Sequence, residues 1–453
     1  MPNMTRTAIQ IQPITRPLTA SVRVPGSKSL TNRALLVAAL ADGTTRLTNA
    51  LFSDDSRYFA ESLRRLGFNV LLEPESDRPR LSPSMTVTGL GGHIPAGRAD
   101  LYIGNAGTAA RFLTAMLTLG NGVYTLDGDA RMRQRPMQEL VAALEMLGAQ
   151  ITWPESKEQS SNANTPDAGL PFIVHARGLL GGHADIAGDT SSQFLSGLLL
   201  AVPYAQHPVE MEVVRGLSSK PFVDMTLAVM ADFGVHVEQE GYDRFIVTPQ
   251  AYHSPGTYAI ECDATAASYF FAAAAVCGGT VRVEGITRPS KQGDLAFLDV
   301  LSQMGCSIVD GPGWVSVSGS PGGPGLSALG GVAVDMRDMS DTAQTLAAVA
   351  PFASTPTTIR GIASARVKET DRVAAICTEL TRLGVRVDEH RDGLTIYPCH
   401  DFRPAEIQTY SDHRMAMAFS LIGLKIPGIT ILDPGCVSKT FPGFFEVLAR
   451  LQA

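Results

Sequence analysis

The feature that most narrows what this chain can fold into is internal repetition. Six times, at intervals of roughly seventy to ninety residues, an alanine-rich apolar helix segment leads through a tight turn into a short strand. The helix segments are Asn32–Leu40, Thr108–Leu119, Ser192–Val202, Thr265–Val276, Thr342–Pro351 and Asp412–Leu424. The strands behind them are Gly43–Leu47, Gly122–Leu126, Pro208–Met211, Gly279–Val283, Pro356–Ile359 and Gly428–Leu432. A polar loop and a second helix with one charged face follow, and most copies close with a glycine before another strand, as at Leu63–Val70 and Leu380–Val387. The sixth copy stops at Leu451 without that strand. Because the first helix of each copy is apolar almost all round, it belongs inside a domain, and the second belongs outside.

Six β-α-β-α-β-β units, three per domain, follow. A chain of 453 residues exceeds what one hydrophobic core supports. The repeat breaks near Tyr258–Asp263, so one domain is expected over 26–260 and a second from 1–25 joined to 261–453. The polar stretch Glu155–Ala168 and the Gly-, Pro- and Ser-rich stretch Gly311–Gly331 read as loops or insertions.

Polar residues collect where the inner helices start: Ser27-Lys28-Ser29 with Arg33, Asn105–Thr108 with Arg111, Thr190–Gln193, Asp263-Ala264-Thr265, Ser340-Asp341-Thr342 and Ser411–Arg414. Helix capping accounts for the hydroxyls and carboxylates, and for Asp263-Ala264-Thr265 it suffices. Capping does not call for Lys28, Arg33, Arg111 and Arg414, since the helix dipole disfavours cations in the first turns unless an anion sits there. The loops before the outer helices add Arg131–Pro136, Ser218–Pro221, Arg366–Arg372 and Val437–Pro442. Any one basic loop is ordinarily a solvated surface. If the inner helices of each domain run parallel, however, their starts share a face, and a cleft between the domains would be positive enough for two anionic groups.

The rest of the composition is permissive. Six cysteines lack metal-ligand or disulfide-framework spacing and read as reduced thiols of a cytoplasmic protein. A net charge of −7 argues against a general nucleic-acid or membrane surface. The first seventeen residues show no signal-peptide core, and no apolar run is long enough to span a bilayer.

Gly104–Arg111, Arg366–Arg372, Ser411–Met417 and Ser438–Pro442, with Pro25–Arg33 and Asp189–Phe194, resemble the 5-enolpyruvylshikimate-3-phosphate synthase family, in order, along nearly the whole chain. The resemblance implies a two-domain inside-out α/β barrel, the enolpyruvyl transferase fold, closing on substrate at the interdomain cleft. It implies transfer of the carboxyvinyl group of phosphoenolpyruvate to the 5-hydroxyl of shikimate 3-phosphate, with no metal or organic cofactor, by a cytoplasmic enzyme expected to be monomeric. In that pattern Lys28, Ser29, Arg33, Ser191, Ser192, Gln193, Ser219, Asp341, Ser364 and Lys368 attend shikimate 3-phosphate. Phosphoenolpyruvate falls to Lys28, Gly107, Arg131, Gln193, Arg372, Arg414 and Lys439. Asp341, Glu369 and Lys28 are the catalytic residues it implies, Asp341 as base at the attacking hydroxyl and Glu369 as proton donor to the methylene carbon.

Three positions depart from the family pattern: Phe112 for a common proline, Phe222 for a tyrosine, and Ser364-Ala365 for Asn-Trp, which bears on the shikimate ring contacts. Gly107 keeps the family glycine, so the inhibitor glyphosate is expected to bind. The sister transferase that acts on UDP-N-acetylglucosamine carries a reactive cysteine in the loop matching Gly128–Pro136, and this loop has none. A non-catalytic anion binder would have lost Asp341 and Glu369, and an ATP-using enzyme would need a phosphate loop that is missing.

Overall fold

The computed structural model describes residues 7–73, 83–154, 169–319 and 329–452. The chain divides into two compact units, Gly26–Ile260 and Met1–Pro25 with Glu261–Ala453. The segment 155–168, read as a loop, lies outside the described residues, as does 320–328.

Strands β1 (Ala8–Gln10) and β2 (Leu18–Arg23) open the chain. The first unit then runs α1 (Lys28–Leu40), β3 (Asp42–Thr48), α2 (Asp54–Arg65), β4 (Asn69–Glu73), β5 (Ser84–Leu90), β6 (Arg98–Tyr102), α3 (Gly107–Leu117), β7 (Asn121–Asp127) and α4 (Gln138–Met146). It continues with β8 (Ile151–Thr152), β9 (Phe172–Arg177), β10 (Gly182–Ala187), α5 (Ser192–Ala201), β11 (Val209–Val214), α6 (Lys220–Asp232), β12 (Glu238–Glu240), β13 (Arg244–Val247) and β14 (Thr257–Ala259). The other unit holds α7 (Ala264–Cys277), β15 (Gly279–Glu284), α8 (Phe297–Gln303), β16 (Ser307–Gly311), β17 (Trp314–Gly319), β18 (Ala333–Asp335), α9 (Ala343–Val349) and β19 (Thr357–Arg360). It ends with α10 (Arg372–Arg382), β20 (Val387–His390), β21 (Gly393–Ile396), β22 (Glu406–Ile407), α11 (His413–Gly423), β23 (Thr430–Leu432) and α12 (Phe444–Ala449).

Each repeat builds one small sheet. In the first unit the strand orders are β14-β3-β5-β4, β6-β7-β9-β8 and β10-β11-β13-β12; in the second, β2-β15-β17-β16, β18-β19-β21-β20 and β1-β23-β22. One pair in each sheet is parallel, joined through an inner helix in four of the six, as β6 to β7 through α3, and the remaining pairs are antiparallel. Two strands sit in sheets distant in sequence. β2 precedes α1 but pairs with β15, and β14 precedes α7 but pairs with β3. The missing last strand of the sixth copy has a physical substitute: β1, from the start of the chain, pairs antiparallel with β23.

The inner helices are α1, α3 and α5 in one unit and α7, α9 and α11 in the other. α3, α7, α9 and α11 are buried along their whole lengths, and α1 from Leu30 onward. The outer α2 buries only one face, through Phe59, Ala60 and Leu63 among others. One expectation is corrected. Of the stretch read as a loop at 311–331, Trp314–Gly319 is a strand, whose alternating Trp-Val-Ser-Val-Ser was masked by flanking glycines and prolines.

Phe270 is fully buried on α7, its ring 6.2 Å from Phe441 and 6.0 Å from Phe444. Phe270→Ala is expected to lower the unfolding free energy by about 3–5 kcal/mol. Urea denaturation checks this, and a loss below about 1 kcal/mol would place Phe270 outside a packed core.

Candidate active site

In the first unit the polar groups are mostly neutral. Ser27 caps α1, its hydroxyl accepting from the Leu30 amide at 3.4 Å, which leaves Lys28 and Ser29 half-buried in the first turn. Lys28 Nζ lies 3.8 Å from Asp55 Oδ2 at the start of α2. Ser191 caps α5 by accepting from the Gln193 amide at 3.3 Å, and the Gln193 side chain donates to Thr108 Oγ1 at 3.2 Å, tying the starts of α5 and α3 together. Ser219 is buried and holds a left-handed backbone, φ 55°, just before α6. Strain of this kind in a non-glycine residue is a mark of functional segments.

Two arginines of the helix starts face the protein itself. Arg33 is 1% exposed and donates to Thr226 Oγ1 at 2.8 Å, Ser196 Oγ at 3.3 Å and the Phe222 and Ser29 carbonyls at 2.9 and 3.0 Å. Burial pushes its guanidinium down to about 9. Phe112 and Phe222, both departures from the family pattern, sit 5.3 and 6.0 Å from it. Arg111 donates to the Gly107 and Pro136 carbonyls at 3.0 and 2.9 Å, which fastens the 131–136 loop to α3. At these two helix starts protein carbonyls and hydroxyls accept from the guanidiniums.

The same loop holds a residue that sequence reading passed over. Arg131 bonds Gln134 at 3.3 Å, whereas Arg135 is buried and donates to the Asn105 carbonyl and side-chain oxygen at 3.3 and 3.2 Å. A Cβ added at Gly107 would lie 2.5 Å from both terminal nitrogens of Arg135 and from Nη1 of Arg111. Arg135 is therefore the guanidinium set against the start of α3. Its local mark is the proline at 136, which holds Arg135 in extended backbone, φ −76° and ψ 139°, at the end of the turn Met132–Gln134.

The second unit gathers charge. Arg372, 2% exposed at the start of α10, donates to Asp412 Oδ2 at 2.7 Å, Glu369 Oε2 at 2.9 Å and Asp341 Oδ1 at 3.1 Å. Asp341 also accepts from Lys368 at 2.6 Å through Oδ1 and from Arg414 at 2.6 Å through Oδ2. Lys439 Nζ stands 3.4 Å from Glu369 Oε1. Asp412 caps α11, accepting from the Arg414 amide at 2.9 Å. Burial alone would push the Arg372 and Arg414 guanidiniums down. Asp412, Glu369 and Asp341 around Arg372, and chiefly Asp341 beside Arg414, outweigh it and hold both above their ordinary values.

Lys368, Arg372, Arg414 and Lys439 thus meet Asp341, Glu369 and Asp412 at the starts of α9, α10 and α11. Ser364 is half-buried in the short helical turn Ala363–Val367 that leads into Lys368. Glu369 does pair with Arg372, as an ordinary helix-start carboxylate would, but it is buried, and Arg366 instead pairs with Asp371 and Glu389. Asp263 caps α7 through the Ala266 amide at 2.8 Å, and its neighbour Thr265 donates to Asp294, a second residue the sequence reading missed. Burial, with Asp341 nearby, pushes the Asp294 carboxyl up to about 6.

Among the described residues one trio could offer ligand atoms to a metal ion, His183, Asp185 and Glu212, all exposed on β10 and β11. Exposed acidic faces commonly have this make-up without an ion. No helix among the described residues is long and apolar enough to cross a membrane.

A model of the family described as EPSP synthase (3-phosphoshikimate 1-carboxyvinyltransferase) matches residues 12–448. The chain belongs to the EPSP synthase family. It is 49% identical over 437 residues to the 3-phosphoshikimate 1-carboxyvinyltransferase of Nostoc punctiforme, covering 96% of this chain and 97% of that one. It is 48% identical over 454 residues to the chloroplastic enzyme of that name from Arabidopsis thaliana, covering 98% and 84%. Among solved structures, EPSP synthase from Acinetobacter baumannii aligns with a TM-score of 0.77 at 26% identity, over 98% of this chain and 97% of that one. The enolpyruvyl transferase NikO from Streptomyces tendae aligns at 0.75 and 19% identity over 98% and 97%, a likeness of fold. The α/β enolpyruvyl transferase fold implied by the resemblance is the fold of this family, and it agrees with the six repeats.

The raised Asp294 carboxyl carries a stability consequence. Its folded value lies above the unfolded one, so stability is lost as pH rises from about 4 to about 6, on the order of 2–3 kcal/mol. Asp294→Asn, which still accepts from Thr265, should gain on the wild type over that interval in urea unfolding. A difference between the two proteins that does not change with pH would contradict this.

Proposed function

We propose that this member of the EPSP synthase family transfers the carboxyvinyl group of phosphoenolpyruvate to the 5-hydroxyl of shikimate 3-phosphate and releases phosphate. The observation that carries the reading is the joint presence, in a chain matched over 12–448, of two carboxylates, Asp341 and Glu369, inside one set of four cations. In this reading Ser29, Ser191, Ser192, Gln193 and Ser219, with Arg33 beneath Ser29, hold shikimate 3-phosphate. Lys368 and Ser364 act on its ring hydroxyls. For phosphoenolpyruvate the reading assigns Arg372, Arg414 and Lys439 of the second unit, and Lys28, Gly107 and Arg131 of the first, with Arg135 also set against Gly107.

The chemistry follows from the charges. Asp341 holds three cations on its two oxygens, and a carboxylate so neutralised is a weak base. Two anionic substrates competing for Lys368, Arg372 and Arg414 would restore its basicity as they bind, so that it accepts the 5-hydroxyl proton as the oxygen attacks. Glu369, a carboxylate beside Arg372 and Lys439, takes up a proton as the substrate anions draw on those cations, and gives it to the methylene carbon. It then recovers one from the resulting methyl group as the carbon–oxygen bond to phosphate breaks and the double bond re-forms. Lys28 and Lys439 offset the charge that develops on the phosphate. The substrates are water-soluble anions, as suits an enzyme working in the cytoplasm.

Phosphate release that requires both shikimate 3-phosphate and phosphoenolpyruvate, with none when UDP-N-acetylglucosamine is the acceptor, tests the reading; release with the nucleotide sugar instead would overturn it. Asp341→Ala and Glu369→Gln should each slow turnover by about 10²–10⁴. Near-normal turnover in either removes that residue from the mechanism. Gly107→Ala would drive a methyl against Arg135, so it should weaken both phosphoenolpyruvate and glyphosate; inhibition constants unchanged by it would show that glyphosate does not lie against α3.

A further inference from the structure

Two consecutive non-glycine residues, Tyr410 and Ser411, hold left-handed backbone, φ 56° and 53°, directly before Asp412. Side chains rarely tolerate one such residue, and two in succession persist only where surrounding bonds over-determine them. The bonds here come from Glu379, which is wholly buried on α10. Its Oε1 accepts from the Tyr410 hydroxyl at 2.7 Å, and its Oε2 accepts from the Gln408 amide at 3.3 Å and from Arg382 at 3.0 Å. At the far end of the turn the Asp412 amide donates to the Thr409 carbonyl at 2.9 Å.

Glu379 is seven residues beyond Arg372, two turns along the same face of α10. α10 therefore holds this turn twice: Arg372 grips Asp412 after the strained pair, and Glu379 grips Gln408 and Tyr410 before and within it. Desolvation of the hydroxyl, together with its bond to Glu379, pushes the phenol up to about 12, so the hydroxyl keeps its proton and remains a donor.

We propose that Glu379 and Tyr410 are positioning residues: their bond holds the left-handed turn and so fixes where Asp412 meets Arg372 and where Arg414 is presented to an anionic substrate. Neither needs to touch substrate. The substrate half of this statement rests on the function proposed above; the turn half does not.

The test uses Tyr410→Phe and Glu379→Gln in the full chain, with Tyr397→Phe as a control that removes a like bond, to Asp388 at 2.8 Å, from β20 and β21. Hydrogen exchange should quicken in the peptide covering 408–414 for both variants and stay unchanged for the control. KM for phosphoenolpyruvate should rise about tenfold, the effect of losing one hydrogen bond to a charged group, with kcat changed far less. Adding Ser411→Gly, which takes a left-handed backbone without strain, to Tyr410→Phe should recover part of that KM. Exchange at 408–414 unchanged in both variants overturns the inference whatever the activity. Faster exchange with unchanged KM overturns its substrate half. A wild type without turnover counts against the proposed function and not against the turn, which the exchange decides alone.

Discussion

The second unit depends on one buried guanidinium. Arg372 is 2% exposed and lies at a helix start, where both desolvation and the dipole oppose a cation. It is tolerable only because three carboxylates from three stretches of chain, Asp341, Glu369 and Asp412, surround it. Such a network contributes little net stability, since the desolvation of its members offsets their attraction. What it provides is order: Asp341, Glu369 and Asp412 are fixed about one guanidinium.

The repeats explain how distant segments come to share this duty. Each copy puts an inner helix in the interior, and polar groups collect at its start, where the unpaired amides of the first turn lie. The first unit fills these positions with hydroxyls and an amide, Ser191, Ser192 and Gln193, and turns its arginines inward as braces. The second fills them with charge. A multiply charged anion needs both kinds of partner: neutral donors that fix orientation at small desolvation cost, and cations that compensate its charge.

The architecture was legible because it is periodic. Inner and outer helices differ in whether their apolar residues encircle the axis, and that difference survives in a single sequence. Strand β17 was lost because glycines and prolines crowd it, and the completion of the sixth sheet by β1 could not be read from local pattern, being a pairing between residues more than four hundred positions apart. In the site, motif residues such as Asp341, Glu369, Lys368 and Arg372 stand together in space. Arg135, Asp294 and Glu379 were missed because each looks like a surface charge in a polar stretch, and only the fold shows it buried. Arg33 and Arg111 add that a cation at a helix start also braces the protein, through buried carbonyls and hydroxyls that only the fold brings within reach.

Asp341 is held by three cations, and in the proposed mechanism the bound anions draw them away. The most direct measurement is a crystal structure with shikimate 3-phosphate and glyphosate bound together. The expected result is that Lys368 and Arg414 transfer bonds from Asp341 to ligand oxygens while Arg372 keeps Asp412. Ligands seated with all three cations still on Asp341, or seated away from them, would contradict it.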